Sequence, residues 1–348
     1  MKNTTPLIFD GHNDALLHLY KGDSIDGFIN GNTRHIDLPK ARLGGFGGGF
    51  FAIWVPSDME EAPLFEAMRA DSYDIDVPPN IPQPEALQAS LAQAAILLRL
   101  QRAGALEICT DVAEIRACLN SGKMAAILHM EGAEAIDTGF DSLHVLHGAG
   151  LRSLGLVWSR HNDFGYGVPF SFPKSPDTGP GLTDAGKALV RECNDLNIML
   201  DLSHLNAAGF WDVAKISNAP LVATHSNVHA LCASSRNLTD DQLMAIKDSD
   251  GMVGVNFAVS FLRDDGRMQA DMSLDVMMRH LDHLIEHLGE DRVGFGSDFD
   301  GAMVPAGIKD ASGLGVLRDA MHAHGVDAAL MEKLCNGNWL RVLEKTWD

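Results

Sequence analysis

A histidine and an aspartate near the amino end of the chain have the types and the spacing that suit metal binding. His12 and Asp14 stand two positions apart, directly after the apolar run at 6–9. Side chains alternate between the two faces of a strand, so residues two positions apart point the same way. An imidazole and a carboxylate on one side of a strand end can therefore ligate one metal ion, although this pair alone is a weak signal.

The same kinds of residue recur after later apolar runs. The recurring residues are Glu131, His204, His225 and Asp298. With the first pair they make three imidazoles and three carboxylates, more than the three protein ligands of a typical mononuclear catalytic zinc. A carboxylate between two sets of ligands can bridge two ions about 3.5–4 Å apart. The sequence therefore predicts a two-metal site, and this ligand set favours zinc, with manganese, cobalt or iron as alternatives.

The candidate ligands must be held by strands and helices, and the predicted strands and helices alternate along the chain. Eight apolar runs bounded by glycine, proline or polar residues predict strands at 6–10, 49–55, 124–130, 151–157, 197–202, 221–224, 251–257 and 292–297. Most are almost continuously apolar, which is typical of parallel strands covered on both faces. Helical spacing predicts helices at 84–102, 111–120, 183–196, 239–247, 273–288, 313–324 and 327–345, with Thr183 and Thr239 as N-caps.

This alternation predicts an α/β fold, a (β/α)8 TIM barrel, with a doubly wound sheet as the alternative. Active sites of such barrels form at the carboxyl ends of the strands, and all six candidate ligands fall there. Two inserts, at about 56–84 and 162–180, also follow strand ends. Because no repeat or domain linker interrupts the pattern, we expect one domain over residues 1–348.

The overall composition argues against some classes of partner. The chain has 348 residues and a formal net charge of −20, whereas nucleic acid or an anionic membrane needs a basic patch. Five cysteines without a CxxC pattern indicate neither a disulfide framework nor a structural zinc site. With no signal-peptide apolar region and no run of about 18 apolar residues, the expected compartment is the cytoplasm.

Several stretches resemble the renal (membrane) dipeptidase family, a branch of the amidohydrolase-type barrels. They are Asp-Gly-His-Asn-Asp, Met-Glu-Gly, Leu-Ser-His, Thr-His-Ser and Gly-Ser-Asp-Phe-Asp-Gly, together with Cys-Ala-Ser-Ser-Arg-Asn at 232–237. These motifs cover nearly the whole chain in order. The signal peptide, lipid-anchor tail and disulfide pattern of mammalian members are not found, so a cytoplasmic bacterial-type member is the expectation.

The resemblance implies a zinc-dependent dipeptidase with two zinc ions per chain and a metal-bridging hydroxide that attacks the peptide carbonyl. His12 and Asp14 would hold the first ion, and His204 and His225 would hold the second. Glu131 would bridge the two ions. A homodimer is a further expectation from the family.

The resemblance also implies roles for residues outside the ligand set. Asp298 would carry the proton to the departing amine, and Arg236 would bind the substrate's terminal carboxylate, with a structural salt bridge as its alternative. The chain departs from the family after the fourth predicted strand, where many members carry a histidine that binds the carbonyl oxygen. Trp158 stands there instead, so Trp158 and His161 are both candidates for substrate binding, and Asn162 is a further substitute for the missing histidine.

A second histidine pattern lies on the predicted helix 273–288. Residues 283–287 read His-Leu-Ile-Glu-His, the H-x-x-E-H pattern of inverzincins, and His280 adds a third histidine. This helix belongs to the outer ring of the predicted barrel, away from the strand ends. We therefore expect a solvated helix face here.

The sequence thus predicts a metallo-dipeptidase whose substrate is a small dipeptide. The alternative is a related binuclear amidohydrolase that acts on N-acyl amino acids or other small amides. A metal-binding barrel without activity is disfavoured, because all six site residues are present.

Overall fold

The computed structural model describes residues 5–57 and 61–347, which form eleven strands. The strands are β1 (Ile8–Asn13), β2 (Phe46–Trp54), β3 (Tyr73–Ile75), β4 (Glu107–Ile108), β5 (Ala125–Glu131), β6 (Leu151–Gly155), β7 (Phe170–Phe172), β8 (Met199–Asp201), β9 (Val222–Ala223), β10 (Met252–Asn256) and β11 (Val293–Gly296). Eight of them form a closed parallel ring in the order β1, β2, β5, β6, β8, β9, β10 and β11. The ring closes where Asp10 of β1 pairs with Phe295 of β11.

The (β/α)8 barrel predicted from the sequence is therefore confirmed, and each of the eight predicted strands overlaps one strand of the ring. Strand β4 was not predicted. It is two residues long and pairs with the start of β5, so it lies outside the ring. A segment this short carries no periodic signal.

The two predicted inserts contain structure that the sequence did not indicate. Strands β3 and β7, one from each insert, pair as a two-stranded antiparallel sheet, with Asp74 opposite Ser171. The first insert also contains a short helix, whereas its residues 58–60 lie outside the described part of the chain. The sequence did not predict this pairing, because the partner of each strand lies about a hundred residues away and leaves no local pattern.

Helices cover the outside of the barrel. They are α1 (Ala15–Tyr20), α2 (Ile25–Asn30), α3 (Leu38–Gly44), α4 (Glu61–Ala67), α5 (Gln83–Arg102), α6 (Val112–Ser121), α7 (Asp141–Gly148), α8 (Asp184–Asp195), α9 (Ala207–Ile216), α10 (Asp240–Asp248), α11 (Val259–Leu262), α12 (Leu274–Leu288), α13 (Leu314–His324), α14 (Ala328–Glu332) and α15 (Asn338–Trp347). Both predicted N-caps are confirmed, since the hydroxyls of Thr183 and Thr239 accept backbone N–H bonds from Gly186 and Gln242.

The last predicted helix, at 327–345, is interrupted. A π-helical turn, Lys333–Gly337, separates α14 from α15. Beyond this turn, the fully buried Trp339 packs among inward-facing residues of the barrel such as Phe50, and its indole N–H donates to the carbonyl of Phe295 at 3.0 Å. A Cβ atom at Gly254 in β10 would come within 2.1 Å of the carbonyl oxygen of Thr224 and 3.0 Å of this indole, so both the neighbouring strand and the Trp339 ring require glycine there.

No helix within residues 5–57 and 61–347 is both long enough and apolar enough to cross a membrane.

Candidate active site

The six predicted metal-site residues converge at the carboxyl ends of the barrel strands. His12 lies near the end of β1, and Glu131 is the last residue of β5. The remaining four follow β1, β8, β9 and β11; they are Asp14, His204, His225 and Asp298. All of them are buried except Asp298, which is half-buried. The barrel therefore brings together residues that are up to 286 positions apart.

Glu131 stands between the histidines. Its Oε1 lies 3.0 Å from His204 Nε2, 3.4 Å from His225 Nε2 and 3.6 Å from His12 Nε2. The two Nε2 atoms of His204 and His225 are 3.1 Å apart. One carboxylate is therefore shared by two groups of imidazoles, as a bridging ligand must be.

We call His204 and His225 the second ligand group, and the first ligand group, His12, Asp14 and Asp298, lies on the β1 side of Glu131. His12 Nε2 is 3.3 Å from Asp14 Oδ2, and Asp298 also offers a carboxylate oxygen within 4.8 Å of both. A Cβ atom at Gly301 would come within 2.1 Å of Asp14 Oδ2 and 2.6 Å of Asp298 Oδ1. Glycine at this position is therefore required for both carboxylates to keep their places.

The charges of this cluster fit a cation. Burial lowers the pKa values of His204 and His225 well below the ordinary range, so both imidazoles are neutral, as metal ligands must be. Burial also raises the pKa of Glu131. Burial alone would lower the pKa of His12, but the carboxylates of Glu131 and Asp14 outweigh it and raise that pKa to about 10. A metal ion bound by His12 would therefore displace a proton from its imidazole.

The outer nitrogen of each second-group histidine is held by a hydroxyl. Thr224 Oγ1 donates to Asp201 Oδ2 at 2.6 Å, and it lies 2.8 Å from His225 Nδ1. Because the carboxylate can only accept, the hydroxyl proton is committed to it, and His225 Nδ1 must be the donor to Thr224. His225 Nε2 then presents its lone pair to the centre of the site. His204 Nδ1 lies 2.9 Å from Ser159 Oγ.

By contrast, neither ring nitrogen of His12 has a hydrogen-bond partner among the described residues, although both are buried. Buried polar atoms without partners are rare in folded proteins. Nε2 faces the carboxylates of Asp14 and Glu131, so a metal ion at that position would satisfy it. The ligand set therefore fits divalent metal ions by donor type and burial.

Two site residues have unusual backbone conformations. His204 has φ = 67° and Asp298 has φ = 58°, both in the left-handed region that non-glycine residues rarely occupy. Such strain persists where the surrounding structure fixes it, and it clusters at functional sites. These conformations are consistent with residues placed for chemistry.

Asn256 and Arg236 adjoin the metal-site residues. Asn256 Nδ2 donates to Asp298 Oδ2 at 2.9 Å. The guanidinium of Arg236 donates to the carbonyl of His225 at 3.2 Å and to Ser226 Oγ at 3.4 Å, while its buried Nε has no partner among the described residues. Within the described structure its charge is balanced only at longer range, by the carboxylates of Asp298, Glu131 and Asp201, so the free Nε proton is available to a bound ligand. 

A cavity of about 440 Å³ opens above the cluster. Its wall includes Asp14, Glu131, His204 and Asp298, so the metal-site residues form part of its floor. A volume of this size suits a small molecule.

One side of the cavity is aromatic. We call Trp54, Trp158, Phe170 and Phe261 the aromatic wall; all four line the cavity. Their rings contact in sequence, with centroids 5.0 Å apart for Trp54 and Trp158, 5.6 Å for Trp158 and Phe170, and 6.0 Å for Phe170 and Phe261. The guanidinium carbon of Arg236 lies 5.5 Å from the Phe261 ring. Arg236 is thus at one end of the wall, behind the described residues that line the cavity.

The two candidates after the fourth predicted strand have different surroundings. Trp158 lies in the aromatic wall, 5.9 Å from the ring of His204. His161 packs against Tyr166, and it is not among the described residues that line the cavity. The structure brings Trp158 to the site but not His161.

Several residues around the site were not singled out from the sequence. They are Ser159, Asp201, Thr224, Asn256, Phe170 and Phe261. Asp201 and Asn256 are the last residues of β8 and β10, and Thr224 follows β9, so polarity at the end of an apolar run was a usable signal for these three. The other three have no pattern in the sequence that distinguishes them.

Fold and site together define a class, a (β/α)8 barrel with candidate metal ligands at the strand ends. The model of the family described as membrane dipeptidase (peptidase family M19) matches residues 2–348. The chain therefore belongs to the membrane dipeptidase family and is a metallo-dipeptidase.

Comparisons with individual proteins agree with this assignment. A metallo peptidase from Rhodobacter sphaeroides, solved with a phosphinate mimic of the dipeptide L-Ala-D-Ala, is 55% identical, with a TM-score of 0.98, over 99% of this chain and 100% of its own. An uncharacterized protein in the pqqA 5′ region of Klebsiella pneumoniae is 48% identical over 258 residues, 74% of this chain and 95% of its own length. The probable dipeptidase PvdM from Pseudomonas aeruginosa is 24% identical, with a TM-score of 0.82 over 98% and 96% of the two chains, and shares the fold.

Proposed function

We propose that the chain is a zinc-dependent dipeptidase that holds two zinc ions. His12 and Asp14 would ligate the first ion, and His204 and His225 the second. The observation that carries the proposal is the position of Glu131, whose Oε1 lies within 3.6 Å of all three histidine Nε2 atoms. Imidazole and carboxylate donors in this number suit zinc. When bound, the ions would supply a Lewis acid and a water molecule that is nucleophilic at neutral pH.

Asp298 is the proposed proton carrier. Its carboxylate lies beside the first ligand group and lines the cavity, so it can reach both bound water and a substrate nitrogen. The departing nitrogen cannot leave as an amide anion, so it must gain a proton. The bond from Asn256 holds Asp298 Oδ2, which leaves Oδ1 for the transfer.

Arg236 is the proposed partner of the substrate's terminal carboxylate. Its guanidinium is buried, next to the second ligand group, and its Nε carries an unsatisfied proton. A planar guanidinium binds a carboxylate through two parallel hydrogen bonds. This role explains why a charged group is kept in the interior with no carboxylate of its own.

Trp158 and the rest of the aromatic wall are the proposed pocket for the carboxyl-terminal side chain. A substrate whose carboxylate lies on Arg236 places that side chain near Phe261, at the end of the wall. Met68 and Met268 also line the cavity and belong to one apolar cluster with Phe261. We therefore expect large apolar residues at the carboxyl end of good substrates. His161 is retained as a lower-ranking candidate that would require movement of its loop.

The test is a substrate panel assayed with the purified zinc-loaded protein. It contains dipeptides with L or D carboxyl-terminal residues, the matching tripeptides, N-acyl amino acids and dipeptide amides. We expect hydrolysis of dipeptides, loss of activity with a chelator and its return with zinc. The D-configured members are included because the Rhodobacter relative was solved with an L-Ala-D-Ala mimic. Faster cleavage of N-acyl amino acids than of dipeptides would replace the proposal with the amidohydrolase alternative.

The proposal also covers the compartment, the domain organisation and the assembly of the enzyme. A reducing compartment such as the cytoplasm is supported by the five cysteines, which are all buried and unpaired in the described structure. We also propose that residues 1–348 form one domain and that the binding partner is a dipeptide substrate. The proposed assembly is a homodimer. Light scattering of the purified protein tests the assembly.

A further inference from the structure

The H-x-x-E-H pattern lies on α12, outside the barrel. His283 and His287 are one turn apart on this helix, and both face Asp240, the first residue of α10. His283 Nε2 lies 2.8 Å from Asp240 Oδ1, and His287 Nε2 lies 3.9 Å from Asp240 Oδ2. One ligand atom from each residue lies within 4.8 Å of the other two. We call these three residues the outer triad.

A hydrogen bond fixes the tautomer of one histidine. His287 Nδ1 lies 2.9 Å from the carbonyl oxygen of His283. A carbonyl only accepts, so Nδ1 carries a proton, and Nε2 is the ring nitrogen that faces Asp240. A cation placed between Nε2 and the carboxylate would be bound by both.

The ring arrangement agrees with a shared ion. The imidazoles of His283 and His287 are stacked, with centroids 4.1 Å apart and planes 14° apart. This stacking places the Nε2 atoms of both rings on the side that faces Asp240. The three side chains are partly exposed, at 19%, 23% and 49%, so an ion can enter from solvent.

We propose that the outer triad is a second, separate metal site that binds a transition-metal ion such as Zn²⁺. Two imidazoles and one carboxylate are donors that suit zinc, copper and nickel, and water would complete the coordination. The ion would join α10 to α12 across the outside of the barrel.

The joined helices support segments of the active site. His280, one turn before His283, accepts the N–H of Val228 at 3.2 Å and lies 2.9 Å from the carbonyl of Leu262. Val228 lies three positions after His225 in the chain, and Leu262 directly follows Phe261. An ion at the outer triad would therefore stabilise the two helices against which these segments pack. The effect of the ion is measured as thermal stability and as metal content.

The test compares zinc binding by the wild-type holoenzyme and a His283→Ala/His287→Ala variant. The control is His324→Ala, because His324 also contacts an aspartate of α12, with Nε2 2.9 Å from Asp282 Oδ2, but forms a pair without a second histidine. Protein equilibrated with about 10 µM free Zn²⁺ is analysed for zinc per chain and for Tm. The difference between proteins is measured, so the result does not depend on how many ions the active site holds.

We expect wild type and His324→Ala to bind about one zinc ion more than the double variant, and zinc to raise their Tm by several degrees relative to it. Asp240→Asn should weaken this binding by about tenfold. Equal zinc content in wild type and the double variant would overturn the proposal, and so would an equal loss in His324→Ala. If the double variant folds poorly, His287→Gln gives the same comparison with a smaller change.

Discussion

Asn256 Nδ2 donates a hydrogen bond to Asp298 Oδ2 at 2.9 Å, across the ends of the neighbouring strands β10 and β11. The amide is itself fixed, because Asn256 Oδ1 accepts the N–H of Ala258 at 2.6 Å. Asp298 is also in a left-handed backbone conformation. Side-chain and backbone constraints thus both set the position of the carboxylate that we propose as proton carrier.

Replacement of Asp298 by asparagine should remove proton transfer and keep both metal ions. We expect kcat to fall by roughly 10²–10⁴, the usual contribution of a general acid–base group. Turnover and metal content are measured on the same preparation. If the variant loses a metal ion, Asp298 is a ligand of the first ion, a role that its position beside His12 and Asp14 would also permit.

Replacement of Asn256 by alanine should shift the pH profile. Burial raises the pKa of Asp298, and the bond from Asn256 opposes that rise by stabilising the carboxylate. Without the bond the pKa increases further, so the acidic limb of kcat/KM against pH should move upward by about one unit. An unchanged acidic limb, at reduced activity, would mean that Asn256 has only a structural role.

Replacement of Arg236 by alanine should weaken the binding of substrates that have a free carboxylate. Loss of a charge-assisted, bidentate contact should lower kcat/KM by about 10–100-fold, mainly through KM. Dipeptide amides, which lack the charge, should lose much less. Equal losses for acids and amides would contradict the carboxylate-binding role, and Tm and metal content show whether the variant remains folded.

His280 should make stability depend on pH. Burial lowers its pKa from the ordinary value of 6.5 to about 4, so the folded state keeps it neutral while the unfolded state is protonated below pH 6.5. Its contribution to the free energy of unfolding is fully present above pH 6.5. This contribution falls by about 3 kcal/mol as pH falls toward 4. Denaturant unfolding at several pH values should show a steeper loss for wild type than for His280→Gln. Parallel curves would contradict this assignment.

Much of the site could be predicted because, in a barrel, residues that follow the strands in sequence lie together at one end of the barrel. Each of His12, Glu131, His204 and His225 ends or follows an apolar run, and parallel strands bring their carboxyl ends to one rim. The N-caps Thr183 and Thr239 were predictable for a related reason, since capping depends on a local pattern.

Features that depend on contacts distant in sequence could not be predicted. The β3–β7 sheet joins residues 73–75 to 170–172, and neither strand is long enough to show alternation. The aromatic wall combines Trp54 with Phe261, which come from different strand ends. His280 was expected on a solvated helix face, but it is buried, because its two ring nitrogens bind backbone groups of two separate loops.

The central claim is that Glu131 lies between two metal ions. Anomalous diffraction at the zinc edge, from crystals of the zinc-loaded protein, tests it most directly. We expect two peaks beside Glu131, one near His12 and Asp14 and one near His204 and His225, about 3.5–4 Å apart. A single peak, or none next to Glu131, would contradict the two-metal account.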